Sequence, residues 1–333
     1  MKGYACGFKI YRSVAMQITF TFDQNDYAFV QDHCPEDYPV LPFVSAVDTF
    51  YTVLQEHVGP CVLEDVRLVK GIILPDFKTF EMMVEIDEDK KTIQLIGEDS
   101  VVHYKAIYEQ TSVFPDVTGS QAQPLEPVSA GTQKKELDPG SAAIKDNDLV
   151  REDRSTTLMG DYEFLFHGPM LQSIVSIQTD TPDKEAIGLL KTAKGMEWSK
   201  TDWFFDPFAC DGALQMGCQL AFMSKQKASL PSKIKRAVFY KQANDSASGF
   251  PGVTDSSALR VEPVSTGIQN VALDPGSAAY GLVRETRSTE VLVHLIFQKM
   301  SGLQYIFDAH LFDNKHAPIC SLEGVESYFR LFK

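Results

Sequence analysis

Two short segments of the chain carry polar residues that could transfer protons. The first, DHCPEDYPVLP at 32–42, contains His33, and histidine titrates near neutral pH, so its neutral ring can accept a proton. The second, FFDPFACDGALQ at 204–215, contains Asp211 and Gln215, which are four residues apart and share one face of a helix. A carboxyl group on so apolar a helix is expected to be buried, and burial raises its pKa and lets it hold a proton. The two segments therefore predict a base and an acid that act together.

The elements that would position these residues can be recognised from hydrophobic periodicity. Residues 42–57 and 207–222 have the spacing of helices, the first just after His33 and the second around Asp211. Apolar residues in alternation or in short runs predict strands around both helices. The predicted strand regions are 17–31 (with a turn), 80–86, 91–97, 101–109, 161–180, 236–242, 290–298, 304–312 and 318–331. One helix among antiparallel strands, twice over, indicates an α+β fold of two similar halves.

A repeated segment helps to define the boundaries of these halves. Residues 14–110 form the predicted first half, residues 111–158 a linker, and residues 159–333 the second half. The linker contains EPVSAGTQKKELDPGSAA from residue 126, and 13 of its 18 positions are identical in EPVSTGIQNVALDPGSAA from residue 262. Their Pro, Gly and Ser content and their DPG turns are typical of loops. We interpret the two segments as related inserts in surface loops, the second at about 244–289.

The composition excludes several classes of function. The 333-residue chain has a formal charge of −14, which argues against binding to nucleic acid or to an anionic membrane surface. No apolar run approaches the roughly eighteen residues of a membrane helix, and the first residues, MKGYACGFKIYRSVAM, lack the features of a signal peptide. The six cysteines show neither a CxxC pair nor metal-ligand spacing with histidines. We therefore expect a cytoplasmic protein with reduced cysteines and no metal site.

Four motifs, in order, resemble those of the dehydratase domains of polyketide and polyunsaturated fatty-acid synthases. The family begins with His-x3-Gly-x4-Pro, matched here by His33 and Pro42 with Asp37 in place of the glycine. Its second-half helix carries an Asp-Pro pair, then an Asp, then Gln or His four residues later. That pattern is complete in this chain, and the family's Tyr/His-Gly-Pro and Leu-Pro segments also have counterparts. The matching residues are Asp206, Pro207, Asp211 and Gln215, then His167, Gly168 and Pro169, and finally Leu230 and Pro231. The run PVLPFVSAVD at 39–48 is most similar to the polyunsaturated fatty-acid type.

The resemblance implies a double hot-dog fold, in which two antiparallel sheets are each wrapped around a long central helix and the active site lies between the halves. It also implies dehydration of a 3-hydroxyacyl thioester, with His33 as the base at C2 and Asp211 as the acid at the C3 hydroxyl. No metal or redox cofactor is implied, since the substrate arrives on the phosphopantetheine of an acyl carrier protein. Backbone N–H groups near residues 40–43 are expected to stabilise the thioester oxygen. The residues expected to position the substrate are Val40, Leu41, Pro42, His167, Gly168, Pro169 and Gln215.

Three features leave alternatives open. Asp37 adds a side chain where the family has glycine, so the loop after His33 takes another path or the site for the thioester carbonyl is altered. The segment SKQKASLPSKIKR predicts either a solvated loop or a docking surface for an acidic carrier protein. Its cations are Lys225, Lys227, Lys233, Lys235 and Arg236. The same His and Asp would also serve a product-template-type cyclase, and Asp37 together with the inserts would fit an inactive dehydratase-like scaffold.

Overall fold

A computed structural model of the protein shows two helices packed against one antiparallel sheet. The structure describes residues 15–35, 38–98, 100–112, 156–159, 162, 165–181, 183–198, 203–240 and 289–329. Asp37, most of the predicted linker and both copies of the repeated segment lie outside these residues.

The helices and strands fall into two groups along the chain. The first group contains β1 (Met16–Phe22), α1 (Phe43–His57), β2 (Cys61–Leu68), β3 (Phe80–Asp87), β4 (Thr92–Ile96) and β5 (Val102–Gln110). The second contains β6 (Thr156–Met159), β7 (Ile174–Thr181), β8 (Glu185–Lys191), α2 (Pro207–Lys225), β9 (Ser229–Phe239), β10 (Glu290–Ser301), β11 (Gln304–Phe312) and β12 (Pro318–Phe329). Each group also has a short 3-10 turn, at Ala28–Asp32 and at Pro169–Leu171.

The twelve strands of the described residues form a single sheet, in the order β1-β3-β4-β5-β2-β9-β12-β11-β10-β8-β7-β6. The two groups meet where β2 pairs antiparallel with β9, with Leu63 opposite Ala237. Without this pairing, both strands would leave unpaired N–H and C=O groups at a sheet edge. The two expected sheets are therefore joined into one continuous sheet.

Each helix covers part of this sheet. Tyr51 of α1 lies over the junction, because its hydroxyl donates to Ala237 O (2.6 Å) and accepts from Leu63 N (3.3 Å). Helix α2 is mainly apolar, and its residues from Pro207 to Ala221 are buried on all sides, as expected for a helix enclosed by other elements. Gly217 allows the close approach of α2 to β11, since a Cβ at this position would clash with the ring of Phe307.

The sequence predicted both helices but not every strand. Helix α1 was expected at 42–57 and α2 at 207–222, and both are confirmed. Strand β2 was not predicted, because a bulge around Asp65, whose φ is 49°, interrupts its alternation of apolar and polar residues. Strand β8 was also missed, because its run EAIGLLK is short and has no clear period. No helix in the described part of the chain is long and apolar enough to cross a membrane.

Candidate active site

His33 directly follows the first 3-10 turn, and its ring is held by a hydrogen bond. Its Nδ1 lies 2.7 Å from Val40 O, and a carbonyl oxygen can only accept, so Nδ1 carries the proton. The neutral ring therefore has its lone pair on Nε2. Burial lowers the pKa of His33 to about 4, against a smaller opposing effect of the Val40 bond. At neutral pH His33 is thus an uncharged base with a fixed tautomer.

Asp211 lies in the second turn of α2, at a place fixed by the start of that helix. Asp206 caps the helix, with Oδ1 accepting from Ala209 N (2.9 Å) and Oδ2 from Ala193 N (2.7 Å). Pro207 takes the first helical position, where its missing N–H is not needed. Asp211 is 3% exposed, and burial raises its pKa to about 6. The Asp-Pro pair thus sets the position of a carboxyl group that holds its proton more tightly than usual.

Gln215 connects Asp211 to a hydrogen-bonded chain. Its Nε2 donates to Asp211 Oδ2 (2.6 Å) and to Leu171 O (2.8 Å). Its Oε1 accepts from the hydroxyl of Tyr162 (3.1 Å), which in turn accepts from Ile174 N (2.8 Å). Every polar group of the Gln215 amide is therefore used, and the amide cannot rotate without breaking these bonds. The bond from Gln215 also lowers the pKa of Asp211, against the larger effect of burial.

Tyr162 is a residue that the sequence analysis missed. It lies in the predicted strand region 161–180, before β7, and belongs to none of the motifs. Only the contact between its hydroxyl and Gln215, 53 residues further on, reveals that it supports the acid. The sequence carried no signal that could have identified it.

The segments around His33 and His167 are bound to each other. His33 and His167 form an antiparallel β-bridge. Gly168 N donates to Asp32 O (2.7 Å), and Met170 N donates to the carboxylate of Asp32 (2.6 Å). These bonds attach the second group of elements, which includes the helix of Asp211, to the loop that carries His33.

His167 lies beside both His33 and Asp211. It is buried, and its Nε2 lies 3.6 Å from Asp211 Oδ2. Burial and the neighbouring His33 ring lower the pKa of His167 well below its usual value, so it is neutral. Among the described residues its Nδ1 has no hydrogen-bond partner. A ring nitrogen of His33, one of His167 and a carboxylate oxygen of Asp211 all lie within 4.8 Å of one another.

These three residues face a common cavity of about 240 Å³. Tyr38 and Ile73 line it and are 53% and 57% exposed, so the cavity opens to the surface beside them. Most of its wall is apolar. Of the residues expected to position a substrate, four line the cavity, namely Val40, Leu41, His167 and Gln215. The motif residues Leu230 and Pro231 also line it.

Three of the expected positioning residues lie outside the cavity lining. Pro42 precedes the first residue of α1 and supplies the carbonyl that accepts from Ser45 N (3.1 Å). Gly168 instead packs against Asp32, where a Cβ would lie 2.5 Å from Asp32 Cγ. Pro169 is exposed and begins the second 3-10 turn. Their place in the motifs is explained by backbone geometry rather than by contact with the cavity.

Of the backbone N–H groups at 40–43 that were expected to stabilise the thioester oxygen, only one is available. Val40 N donates to His33 O (2.9 Å), and Leu41 N donates to Ile72 O (3.0 Å). Pro42 has no N–H. Phe43 is the first residue of α1 and lines the cavity, and the first N–H groups of a helix have no acceptor within the helix. Phe43 N is therefore the remaining candidate donor in this stretch.

Solved structures of similar fold exist, although no protein-family model matches the sequence. The dehydratase domain from the CurJ module of curacin polyketide synthase is 14% identical, with a TM-score of 0.59 over 97% of this chain and 94% of that one. GphF dehydratase 1 is 14% identical, with a TM-score of 0.57 over 94% and 93%. The dehydratase domain of a mycocerosic acid synthase-like polyketide synthase is 11% identical, with a TM-score of 0.59 over 95% and 93%. The chain has the fold of these dehydratase domains.

Two of the five cations of the segment SKQKASLPSKIKR form ion pairs with carboxylates. Lys233 Nζ lies 3.0 Å from Glu326 Oε1 and 3.4 Å from Asp65 Oδ1, and Arg236 lies 3.7 Å from Glu323. The other three are exposed and have no ion pair among the described residues. These three are Lys225, Lys227 and Lys235.

Proposed function

We propose that the protein is a hydro-lyase that removes water from 3-hydroxyacyl thioesters carried on an acyl carrier protein. The products are 2-enoyl thioesters of polyketide or polyunsaturated fatty-acid synthesis. One observation carries the proposal: a ring nitrogen of His33 and a carboxylate oxygen of Asp211, from different halves of the chain, lie within 4.8 Å in one cavity. The dehydratase fold supports it.

The proposed reaction needs one base and one acid on the same substrate. His33 Nε2 takes a proton from C2, and the electron pair left behind forms the C2–C3 double bond. The bond between C3 and its hydroxyl oxygen breaks, and Asp211 protonates the departing oxygen to give water. The thioester oxygen gains negative charge during this step, and Phe43 N at the start of α1 would stabilise it.

The protonation states of the free protein suit these roles. With a pKa of about 4, His33 is neutral and ready to accept a proton. With a pKa of about 6, Asp211 is protonated in about one molecule in ten at pH 7. An acyl chain in the apolar cavity would displace water and raise that fraction, because a drier site disfavours the carboxylate.

We propose that each half is one hot-dog unit, with its part of the sheet wrapped around its own helix. Contacts of α1 with β2 and β4, and of α2 with β7 to β11, support this division. The base comes from the first unit and the acid from the second. No metal or redox cofactor takes part in the proposed dehydration.

The carrier protein would approach the face on which the cavity opens. Leu230 and Pro231 line the cavity and lie in the segment that carries Lys225, Lys227 and Lys235. An acidic carrier and the phosphate of its phosphopantetheine would be attracted to these three lysines. Reversing all three charges should raise KM for a carrier-bound substrate and leave KM for the matching pantetheine thioester unchanged. An equal change for both substrates would exclude this docking surface.

The two alternative functions have less support. The CurJ, GphF and mycocerosic acid synthase-like structures are dehydratase domains. Their similarity to this chain does not favour a product-template-type cyclase. An inactive scaffold would not need Asp211 to be held by Gln215, nor Gln215 by Tyr162.

Direct turnover tests the proposed reaction class. The full chain is incubated with a 3-hydroxyacyl pantetheine thioester and with the same acyl group on a carrier protein, and mass spectrometry follows the substrate. We expect the loss of one water and the appearance of the 2-enoyl thioester. If no 3-hydroxyacyl thioester loses water, the scaffold function is favoured instead.

A further inference from the structure

The cluster of His33, His167 and Asp211 has more donor atoms than the dehydration requires. The reaction uses one imidazole and one carboxyl group, and His167 takes no part in its proton transfers. The sequence predicted no metal site, because these residues are far apart along the chain and show no ligand spacing. The fold nevertheless brings one donor atom of each within 4.8 Å of the others. Two imidazoles and a carboxylate form a donor set that divalent transition metals bind in proteins.

The donors are spaced almost as a metal ion requires. Bonds from zinc to histidine nitrogen or carboxylate oxygen are about 2.0–2.2 Å, so two ligands on one tetrahedral ion lie roughly 3.3 Å apart. His167 Nε2 and Asp211 Oδ2 are 3.6 Å apart. The remaining donor, on His33, lies within 4.8 Å of both. Side-chain movements on the order of 1 Å would complete the site, and the cavity leaves a fourth position open for water.

Two of the donors already have the outer partners that metal ligands usually have. A metal-binding histidine commonly donates its other ring N–H to a backbone carbonyl, and a ligating carboxylate is itself hydrogen-bonded. His33 donates Nδ1–H to Val40 O, which leaves Nε2 for an ion. Asp211 Oδ2 accepts from Gln215.

We propose that His33, His167 and Asp211 together bind a divalent transition-metal ion, with Zn²⁺ as the best fit, and that the bound ion inhibits the enzyme. The ion would occupy the lone pair of His33 that the base needs. It would also hold Asp211 as a carboxylate, which then has no proton to give. The inhibition follows from coordination alone and involves no redox step.

Metal binding can be measured without any substrate, so this inference and the proposed dehydration fail independently. The untagged full chain, freed of metal by a chelator, is titrated with Zn²⁺ by calorimetry. Cobalt replaces zinc in a second titration, because its visible absorption reports the ligand geometry. We expect one ion per chain, with affinity reduced at least tenfold in His167→Ala, in His33→Ala and in Asp211→Asn.

Two control variants separate this site from other donors. His57→Gln removes a surface imidazole, and Cys218→Ser removes a thiol that lines the cavity. Both should bind the ion like the wild-type chain, and thermal unfolding confirms that every variant is folded. Absence of binding, or an unchanged affinity in His167→Ala and His33→Ala, would overturn the site. If Zn²⁺ binds but leaves the dehydration rate unchanged, the inhibitory role is wrong.

Discussion

The carboxylate of Asp32 occupies the space that a side chain at position 168 would need. A Cβ on Gly168 would lie 2.5 Å from Asp32 Cγ. The carboxylate cannot rotate away without giving up its bond from Met170 N (2.6 Å). Asp32 is the neighbour of His33, and Gly168 is the neighbour of His167. This contact therefore sets the distance between the two sides of the site, and it explains the glycine of the His-Gly-Pro motif.

A double-mutant cycle tests this contact. Gly168→Ala should destabilise the fold by about 1–3 kcal/mol, as overpacking usually does, and should lower kcat because His33 is displaced from Asp211. In an Asp32→Ala background the same change should cost much less, since the clashing group is gone. Urea unfolding of the four proteins gives the coupling energy. Purely additive effects would mean that the two residues do not interact.

The pH dependence of kcat/KM should be bell-shaped with an acidic maximum. His33 must be unprotonated, so activity falls below a pKa of about 4. Asp211 must be protonated, so activity falls as the pH rises above about 6. The profile of kcat/KM reports groups of the free enzyme and is measured with a pantetheine thioester. A profile that is flat from pH 6 to pH 8 would contradict the role of Asp211 as the acid.

A variant of Gln215 should shift that pH profile in a known direction. Its hydrogen bond to Asp211 lowers the pKa of the carboxyl group. Gln215→Met removes the bond, so the pKa should rise and the alkaline limb should move to higher pH. A shift to lower pH would show that the limb belongs to another group.

The buried Asp211 carboxylate should destabilise the folded protein at neutral pH. Its pKa rises from 3.8 to about 6 on folding, so the folded state binds the proton more tightly. The penalty for the buried carboxylate is absent below pH 3.8 and grows as the pH rises through about 6, to on the order of 3 kcal/mol. Asp211→Asn should thus unfold at higher urea than the wild type at pH 7.5, with a much smaller gain near pH 4. A stability gain that does not depend on pH would rule out this origin.

Loss of the Tyr162 hydroxyl should lower stability and kcat more than loss of a tyrosine hydroxyl that makes no hydrogen bond. Tyr162→Phe leaves Ile174 N without its acceptor and Gln215 without its donor, at a cost of about 1–3 kcal/mol. The catalytic rate should fall as Asp211 loses its support. Tyr305→Phe is the matched control, because the buried Tyr305 hydroxyl has no hydrogen-bond partner among the described residues. Equal effects of both changes on kcat would show that Tyr162 has no positioning role.

The sequence predicted those parts of the fold and site that depend on local pattern. Periodicity located both helices, and the start of α2 is local as well, since capping by Asp206 involves residues near it in the chain. His33 and Asp211 were identified because each lies in a motif. The structure brings these two residues together in one cavity.

Features that depend on contacts between distant segments could not be predicted. The pairing of β2 with β9 joins the halves through residues about 170 positions apart, and no local pattern encodes such pairing. Tyr162 was missed for the same reason. The role of Gly168 was misassigned because a motif identifies a position and not the neighbour that fills the space beside it.

The proposed dehydration requires His33 and Asp211 to act on one substrate at the same time. The most direct test is the rate of water loss from a 3-hydroxyacyl thioester in His33→Ala, in Asp211→Asn and in the double variant. Asp48→Asn, a buried carboxylate of α1, is the control. Each single change should lower the rate about 10²–10⁴-fold, and the double variant should be no slower than the worse single one, because the pair works as a unit. A single variant within a few-fold of the wild-type rate would contradict the mechanism.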